Sequence, residues 1–273
     1  MLRTLLIIAA VGAACVIVMA IGLQIKPRPF APFPDTAGAM ESVPLPEDLP
    51  APVARFYRRL YGDRVPVITS AVFSGQAALQ PVKPFPAFPS RFRFTHDAGR
   101  GYRHYIEITW ARLLLIKGNE HYLNGRGSLD LGPIGISEGP EIDQAANLGL
   151  WAESVWLPAL WLTDPRVRWE AVDEVTAVLV VPFEDREEHM VMRFDPDSGM
   201  LTYLEAMRYR EADEPGKALW ICEALHWTQI NGHLLPQIGR ITWFDHGKPW
   251  AVFEVHDVVY NVDVSQYIRQ TGP

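Results

Sequence analysis

The chain has 273 residues, 48% of them hydrophobic and 11% aromatic, which is enough for a substantial core. Its formal net charge of −7 argues against a nucleic-acid backbone as the main partner. Its two cysteines, Cys15 in an apolar run and Cys222 in a predicted strand, give no intrachain disulfide framework and leave the compartment undecided.

The N-terminus carries the clearest signal. Leu5 to Leu23 (LLIIAAVGAACVIVMAIGL) has no charge. At about 1.5 Å per residue such a helix spans about 28 Å, close to the roughly 30 Å hydrocarbon core of a bilayer. Arg3 precedes the run, and Lys26 and Arg28 follow it. Val18-Met19-Ala20 would serve as a small-residue cleavage site, but the apolar run continues to Ile25, longer than a usual signal core. Residues 1–25 therefore read as a transmembrane anchor, with a signal peptide as the alternative. The expected arrangement is single-pass in the inner membrane of a bacterium, with the C-terminal domain extracytoplasmic.

Residues 26–48 are proline-rich and read as a polyproline-like linker, a tether that lets the domain stand off the bilayer. Residues 49–273 form the main domain. APVARFYRRLY (51–61) predicts a short helix: Pro52 suits its first turn, Val53, Phe56, Tyr57, Leu60 and Tyr61 share one face, and Gly62 ends it. Arg55, Arg58 and Arg59 make the other face, which reads as solvated rather than lipid-binding.

Strand patterns then dominate. Phe92 and Phe94 alternate with Arg91 and Arg93. Tyr102, His104, Ile106, Ile108 and Trp110 alternate with Arg103, Tyr105, Glu107 and Thr109, which predicts a strand with one wet face. Met190, Met192 and Phe194 point inward from a further strand, and TAVLVVPF (176–183) is apolar on both faces. Asp197-Ser198-Gly199, Asn231-Gly232 and Asp245-His246-Gly247 read as hairpin turns, hence antiparallel neighbours. About ten such strands in one sheet should curl or close.

The segment 141–162 differs. It predicts a helix capped by Ser137 or Asp143, kinked or split at Pro158 and apolar nearly all round, so it must be buried on more than one side. It suits a plug for the concave face of a curled sheet. Trp151, Trp156 and Trp161 recur every five residues, with Glu153 the ionisable group among them. A carboxylate there must be paired, protonated or near water, and Arg91, Arg112, Arg126 or Arg208 could pair it.

LPAPVARFYRRLYG (49–62) and LGLWAESVWLPALWL (148–162) resemble an uncharacterised bacterial family of membrane-anchored proteins, a domain of unknown function with LP-x-PV-x-R and E-x-x-W-x-P motifs. Leu49, Pro50, Pro52, Val53 and Arg55 fit the first motif, and Trp151, Glu153, Trp156, Pro158 and Leu160 or Trp161 the second. FDPDSGMLTYLEAMRYRE, followed by the NG turn and a close on VHDVVYNVDVSQYI, is more weakly similar to the lipoprotein-carrier fold of LolA and LolB. That resemblance implies a curved antiparallel half-barrel with helices over its concave side and an apolar cavity for acyl chains.

The expected fold is mainly β with minor α: a large curved antiparallel sheet or half-barrel of about ten strands, covering helices and an N-terminal transmembrane helix. The expected function is non-enzymatic binding of a lipid or other amphiphile, with the membrane as partner through the N-terminal helix. Trp151, Glu153, Trp156, Trp161, His104, Trp110 and Met192 are the candidate ligand-binding residues. No HExxH, HxH or Cys/His cluster points to a metal, no GxSxG elbow to a nucleophile, and no motif to a cofactor. His226, His233, His246 and His256 could converge in the C-terminal meander. The alternatives are a cavity-free interaction module of the cell envelope and, third, a hydrolase of envelope lipid or glycan.

Overall fold

The computed structural model describes residues 2–34, 40–81 and 84–272. Helix α1 (Leu2–Gln24) is an apolar rod whose residues are nearly all exposed, with Gly22 buried. A two-stranded ribbon of β1 (Ser42–Pro44) and β2 (Arg64–Pro66) brackets α2 (Ala51–Tyr61). Val53, Phe56 and Tyr57 of α2 are buried and its arginines exposed, as its spacing requires.

Among the described residues thirteen strands make one antiparallel sheet. The first wing holds β3 (Ser70–Leu79), β4 (Phe88–Asp97), β5 (Gly101–Trp110), β6 (Leu113–Leu123), β7 (Arg126–Asp130) and β8 (Ile136–Glu138). The chain then makes α3 (Pro140–Glu153), a 3-10 turn over Ser154–Trp156, and α4 (Leu160–Thr163). The second wing holds β9 (Arg168–Ala171), β10 (Thr176–Phe183), β11 (Arg186–Phe194), β12 (Leu201–Arg208), β13 (Ala218–Ile230), β14 (His233–Trp243) and β15 (Ala251–Tyr260). The spatial order is β8-β7-β6-β5-β4-β3-β15-β14-β13-β12-β11-β10-β9, so the wings meet at the β3–β15 pair.

At about 4.8 Å per strand such a sheet is too wide to stay flat. It wraps around α3, which touches β6, β7 and β8 of one wing and β10 and β12 of the other. The segment from Pro140 to Thr163 is thus a plug, joined in sequence to the two outermost strands. Small residues let it sit close. A Cβ on Gly127 would fall 2.7 Å from the Ile142 carbonyl oxygen, and one on Gly239 would fall 3.0 Å from the Trp156 ring.

Four local expectations change. The N-cap of α3 is Gly139 with Pro140 behind it, not Ser137 or Asp143; Asp143 instead accepts bonds from the Gly127 N–H (2.7 Å) and Arg126 (2.6 Å). The α-helix stops at Glu153, before Pro158, because a tighter 3-10 turn takes over. The outer face of β5 is not wet: Arg103, Tyr105, Glu107 and Thr109 are buried. What covers it is partly the expected tether. Gln76 donates to the Pro27 carbonyl (2.6 Å), Arg91 to the Arg28 carbonyl (3.2 Å) and Arg93 to the Ala31 carbonyl, with the Arg91 guanidinium 4.3 Å above the Phe30 ring. Residues 27–31 therefore lie on the sheet instead of holding it at a distance; residues 35–39 of the linker fall outside the described residues. From the other end of the chain, Tyr267 sits beneath Arg103, 5.1 Å from ring centroid to guanidinium.

Candidate functional site: a carboxylate–imidazole network under the plug

Strand parity builds the site. Phe92, Phe94 and His96 share the inner face of β4, as Tyr102 and His104 share that of β5. Register sets Phe94 opposite His104, and His104 opposite Glu120 of β6. Glu153, the last residue of α3, comes down onto this row. Its Oε2 lies 2.6 Å from His104 Nε2 and 2.9 Å from His96 Nε2. His104 Nδ1 lies 3.4 Å from Glu120 Oε2, and the Tyr102 hydroxyl donates to Glu120 Oε1 at 2.6 Å. The imidazoles are walled by rings: Phe94 and Tyr102 stack on His104 at 3.8 and 4.1 Å between centroids, and Phe73 on His96 at 5.2 Å.

Burial and charge decide the protonation states. Burial alone would depress the pKa of His104, but Glu153 and Glu120 on either side overturn that and carry it up to about 9. Burial wins at His96, whose pKa is lowered despite its bond to Glu153. Burial favours the neutral carboxyl at Glu120, yet His104 and then the Tyr102 hydroxyl bring it down to about 2. Glu153 is likewise held below the usual carboxylate range, by His104 first and His96 next, against its burial. The network at neutral pH is two carboxylates, one imidazolium and one neutral imidazole. The bond to Glu153 assigns the His96 proton to Nε2, and His96 Nδ1 is buried without a protein partner.

His96 Nε2, His104 Nε2 and Glu153 Oε2 all lie within 4.8 Å of one another, and two imidazoles with a carboxylate form a donor set that suits zinc or iron. Here each donor atom is engaged with another of the set at hydrogen-bond distance, so the proton on each imidazole occupies the position a cation would need.

The other expected site residues divide. Trp151, Trp156 and Trp161 are 1%, 4% and 1% exposed and pack inside with His104 and Met192. Trp156 N–H donates to the Pro236 carbonyl (2.9 Å) and its ring lies 5.1 Å from Phe73; Trp161 N–H donates to the Trp151 carbonyl (3.0 Å). The Tyr57 hydroxyl, from α2, donates to the Pro158 carbonyl (2.7 Å), and the Tyr260 hydroxyl to that of Trp156. Trp110 is not with them. It stands at the end of β5, and its N–H reaches the Met19 carbonyl of α1 at 3.1 Å. The arginines named as partners of Glu153 go elsewhere: Arg91 to Glu107 (2.6 Å), Arg126 to Asp143, Arg208 to the Ala145 carbonyl and Arg112 to the Lys26 carbonyl. Nor do the meander histidines converge, since His233 begins β14 and His246 lies beyond its far end.

Sequence reasoning missed His96, Glu120 and Tyr102 as site residues. His96 continues the inward parity of Phe92 and Phe94, which was the available signal. Two open cavities, of about 670 and 480 Å³, lie at the margins of the fold. The larger is bounded by residues 67–70, 97–100, 160–166 and 262–269; neither is the space between α3 and the sheet.

These features define a class of protein: an antiparallel half-barrel stoppered by its own helix and preceded by a long apolar helix. The chain belongs to the DUF6544 family, a family of unknown function, whose family model matches residues 39–255. A search of the curated proteins returned no match. Among solved structures, a LolA superfamily protein from Nitrosomonas europaea is similar at 11% identity, with 74% of this chain and 89% of that chain covered and a TM-score of 0.45. A DUF1329 family protein from Desulfovibrio piger is similar at 11% identity, with 75% and 90% covered and a TM-score of 0.43.

Proposed function

We propose that this is a membrane-anchored, extracytoplasmic binding protein of the cell envelope, single-pass in the inner membrane, whose half-barrel takes up a lipid or other amphiphile when the plug withdraws. The observation that supports it is the plug. One continuous segment covers the apolar inner wall, and β8 and β9 do not pair with each other, so the wall can part from the plug without breaking a closed barrel seam. In this reading Trp151, Trp156 and Trp161 stand where acyl chain would lie. Met192 gives an adaptable wall, and Glu153 with His104 supplies the polar contact for a headgroup or amine. The reading is non-enzymatic and needs no cofactor. Ser154, the hydroxyl next to Glu153 in sequence, donates to the Leu150 carbonyl at 2.9 Å, as a helix-end serine does.

The test is titration of delipidated full-length protein with a fluorescent fatty-acyl probe. Saturable binding is expected, lost in Trp156→Glu while the far-ultraviolet circular dichroism stays native. Absence of binding by the folded wild-type chain contradicts the proposal.

The filled interior favours a second reading, a cavity-free interaction module of the envelope. Native mass spectrometry separates the two: co-purified lipid supports the first, and a stable protein partner without lipid supports the second.

A further inference from the structure

Because the strands alternate in direction, the hairpin connections fall on two opposite edges of the sheet. One edge carries, in spatial order, the connections β7–β8, β5–β6, β3–β4, β14–β15, β12–β13 and β10–β11, of which the last two are charged, with Glu211, Asp213 and Glu214 in one and Glu184 and Asp185 in the other. Each of the first four bears large exposed apolar side chains: Ile134 and Ile136 (64% and 65% exposed), Leu113, Leu114 and Leu115 (62%, 46% and 50%), Phe85 (58%) and Phe244 (67%). These are seven of the twelve large apolar residues exposed beyond Ile25 among the described residues. The opposite edge turns through Asp97–Arg100, Asn124-Gly125, Asp195–Gly199 and Asn231-Gly232, all polar or glycine-bearing, with Val172 the large exposed apolar residue in its connections.

The long apolar helix arrives at the apolar part of the first edge. Besides the bond from Trp110 to Met19, the Ala111 N–H donates to the Gly22 carbonyl (3.0 Å) and Arg112 Nε to the Lys26 carbonyl (3.2 Å). A Cβ on Gly22 would fall 2.1 Å from the Trp110 ring, so the helix and the β5–β6 tip touch as closely as glycine permits. Met19 lies about 7 Å, at about 1.5 Å per residue, inside the C-terminal end of α1. The tip therefore reaches below the level at which the apolar run ends. That depth is where interfacial tryptophans and half-inserted apolar side chains reside, and Lys26 and Arg112 sit beside it.

We propose that the β8-to-β14 part of this edge is a membrane-docking surface: the tips bearing Leu113–Leu115, Ile134, Phe85 and Phe244 dip into the outer leaflet of the bilayer that α1 crosses, and the acidic β12–β13 and β10–β11 connections stay clear of the lipid. The four apolar connections span eight strands, about 35 Å at about 4.8 Å per strand, and hold the sheet with its open cavities on the side away from the lipid. This rests on reading α1 as a membrane span, the anchoring half of the function proposed above.

The test uses the full-length chain in liposomes of phosphatidylcholine and phosphatidylglycerol. Single-cysteine forms carry a nitrobenzoxadiazole label at Leu114→Cys, Ile134→Cys or Asp197→Cys with Cys15→Ala and Cys222→Ala, or at native Cys15 with Cys222→Ala. Brominated acyl chains should quench the labels at 114 and 134 severalfold more than the label at 197, on the opposite edge, and aqueous iodide should show the reverse order. Quenching at 114 or 134 no different from 197, while Cys15 is quenched by the brominated lipid, overturns the docking surface and leaves the anchor standing. A Cys15 label that brominated lipid fails to quench overturns both.

Discussion

The two wings of the sheet hold the same plug by different physics. The first wing meets it with charge, as His96 and His104 bond Glu153 and Glu120 backs His104. The second wing meets it chiefly with volume, since Leu179, Met190, Met192, Leu201 and Leu204 are fully or almost fully buried in the common core, and adds hydrogen bonds to the plug backbone from Arg208 and Tyr260. A buried charged contact is sensitive to the loss of one partner and to pH, whereas an apolar contact is sensitive to shape. The plug is thus latched by a titratable network on the first wing and held by apolar packing and hydrogen bonds on the second, so under the proposed function the first wing is the side at which pH acts on release.

The largest effect that would break or sharpen this contrast is His104→Ala. It leaves the half-buried Glu153 and Glu120 without the imidazolium between them and removes a buried ring, and chemical denaturation of the full-length chain in detergent should show a loss of about 3–5 kcal/mol. Met192→Ala on the other wing should cost about 2–5 kcal/mol for its cavity, and Met192→Leu less than about 1.5 kcal/mol. Equal tolerance of His104→Gln and Met192→Leu would remove the distinction between the wings.

The pH profile comes next. His104 has a folded pKa raised to about 9, so its contribution is complete below its ordinary value near 6.5 and is lost as pH rises through about 9. Glu120, held at about 2, contributes fully above its ordinary value near 4.5 and loses that contribution as pH falls toward 2. His96, buried neutral with a lowered pKa, also favours the folded state above its ordinary value and loses that on acidification. The denaturation midpoint should therefore decline from pH 7 to pH 10 in the wild type, and less steeply in His104→Gln; parallel profiles would contradict the latch. The smallest expected effect is that of metal. Zinc chloride or EDTA should leave the midpoint unchanged, since the three donor atoms already satisfy each other; a rise with zinc would make the network a metal centre.

Much of the architecture was legible because it is local. Period-two alternation gave β5 and β11, the Asn231-Gly232 and Asp197–Gly199 turns gave antiparallel neighbours, and an apolar stretch with three tryptophans gave the plug. The failures have one physical cause. Alternation says which residues share a face, but not what covers that face. Arg103 and Glu107 read as solvated until residues 27–31 and Tyr267 fold over them. For the same reason the sequence offers arginines as possible partners of Glu153 and not its actual ones. Its partners are histidines 57 and 49 residues earlier in the chain, and only the β4–β5 register and the descent of α3 bring them together.

Whether the plug yields to a ligand is tested most directly by hydrogen exchange of the backbone amides of residues 140–163, with and without a saturating fatty-acyl ligand. Faster exchange in that segment, with the central strands β3 and β15 unchanged, is the expected result. Exchange in the plug that is unchanged or slowed while ligand is bound would contradict a withdrawing plug.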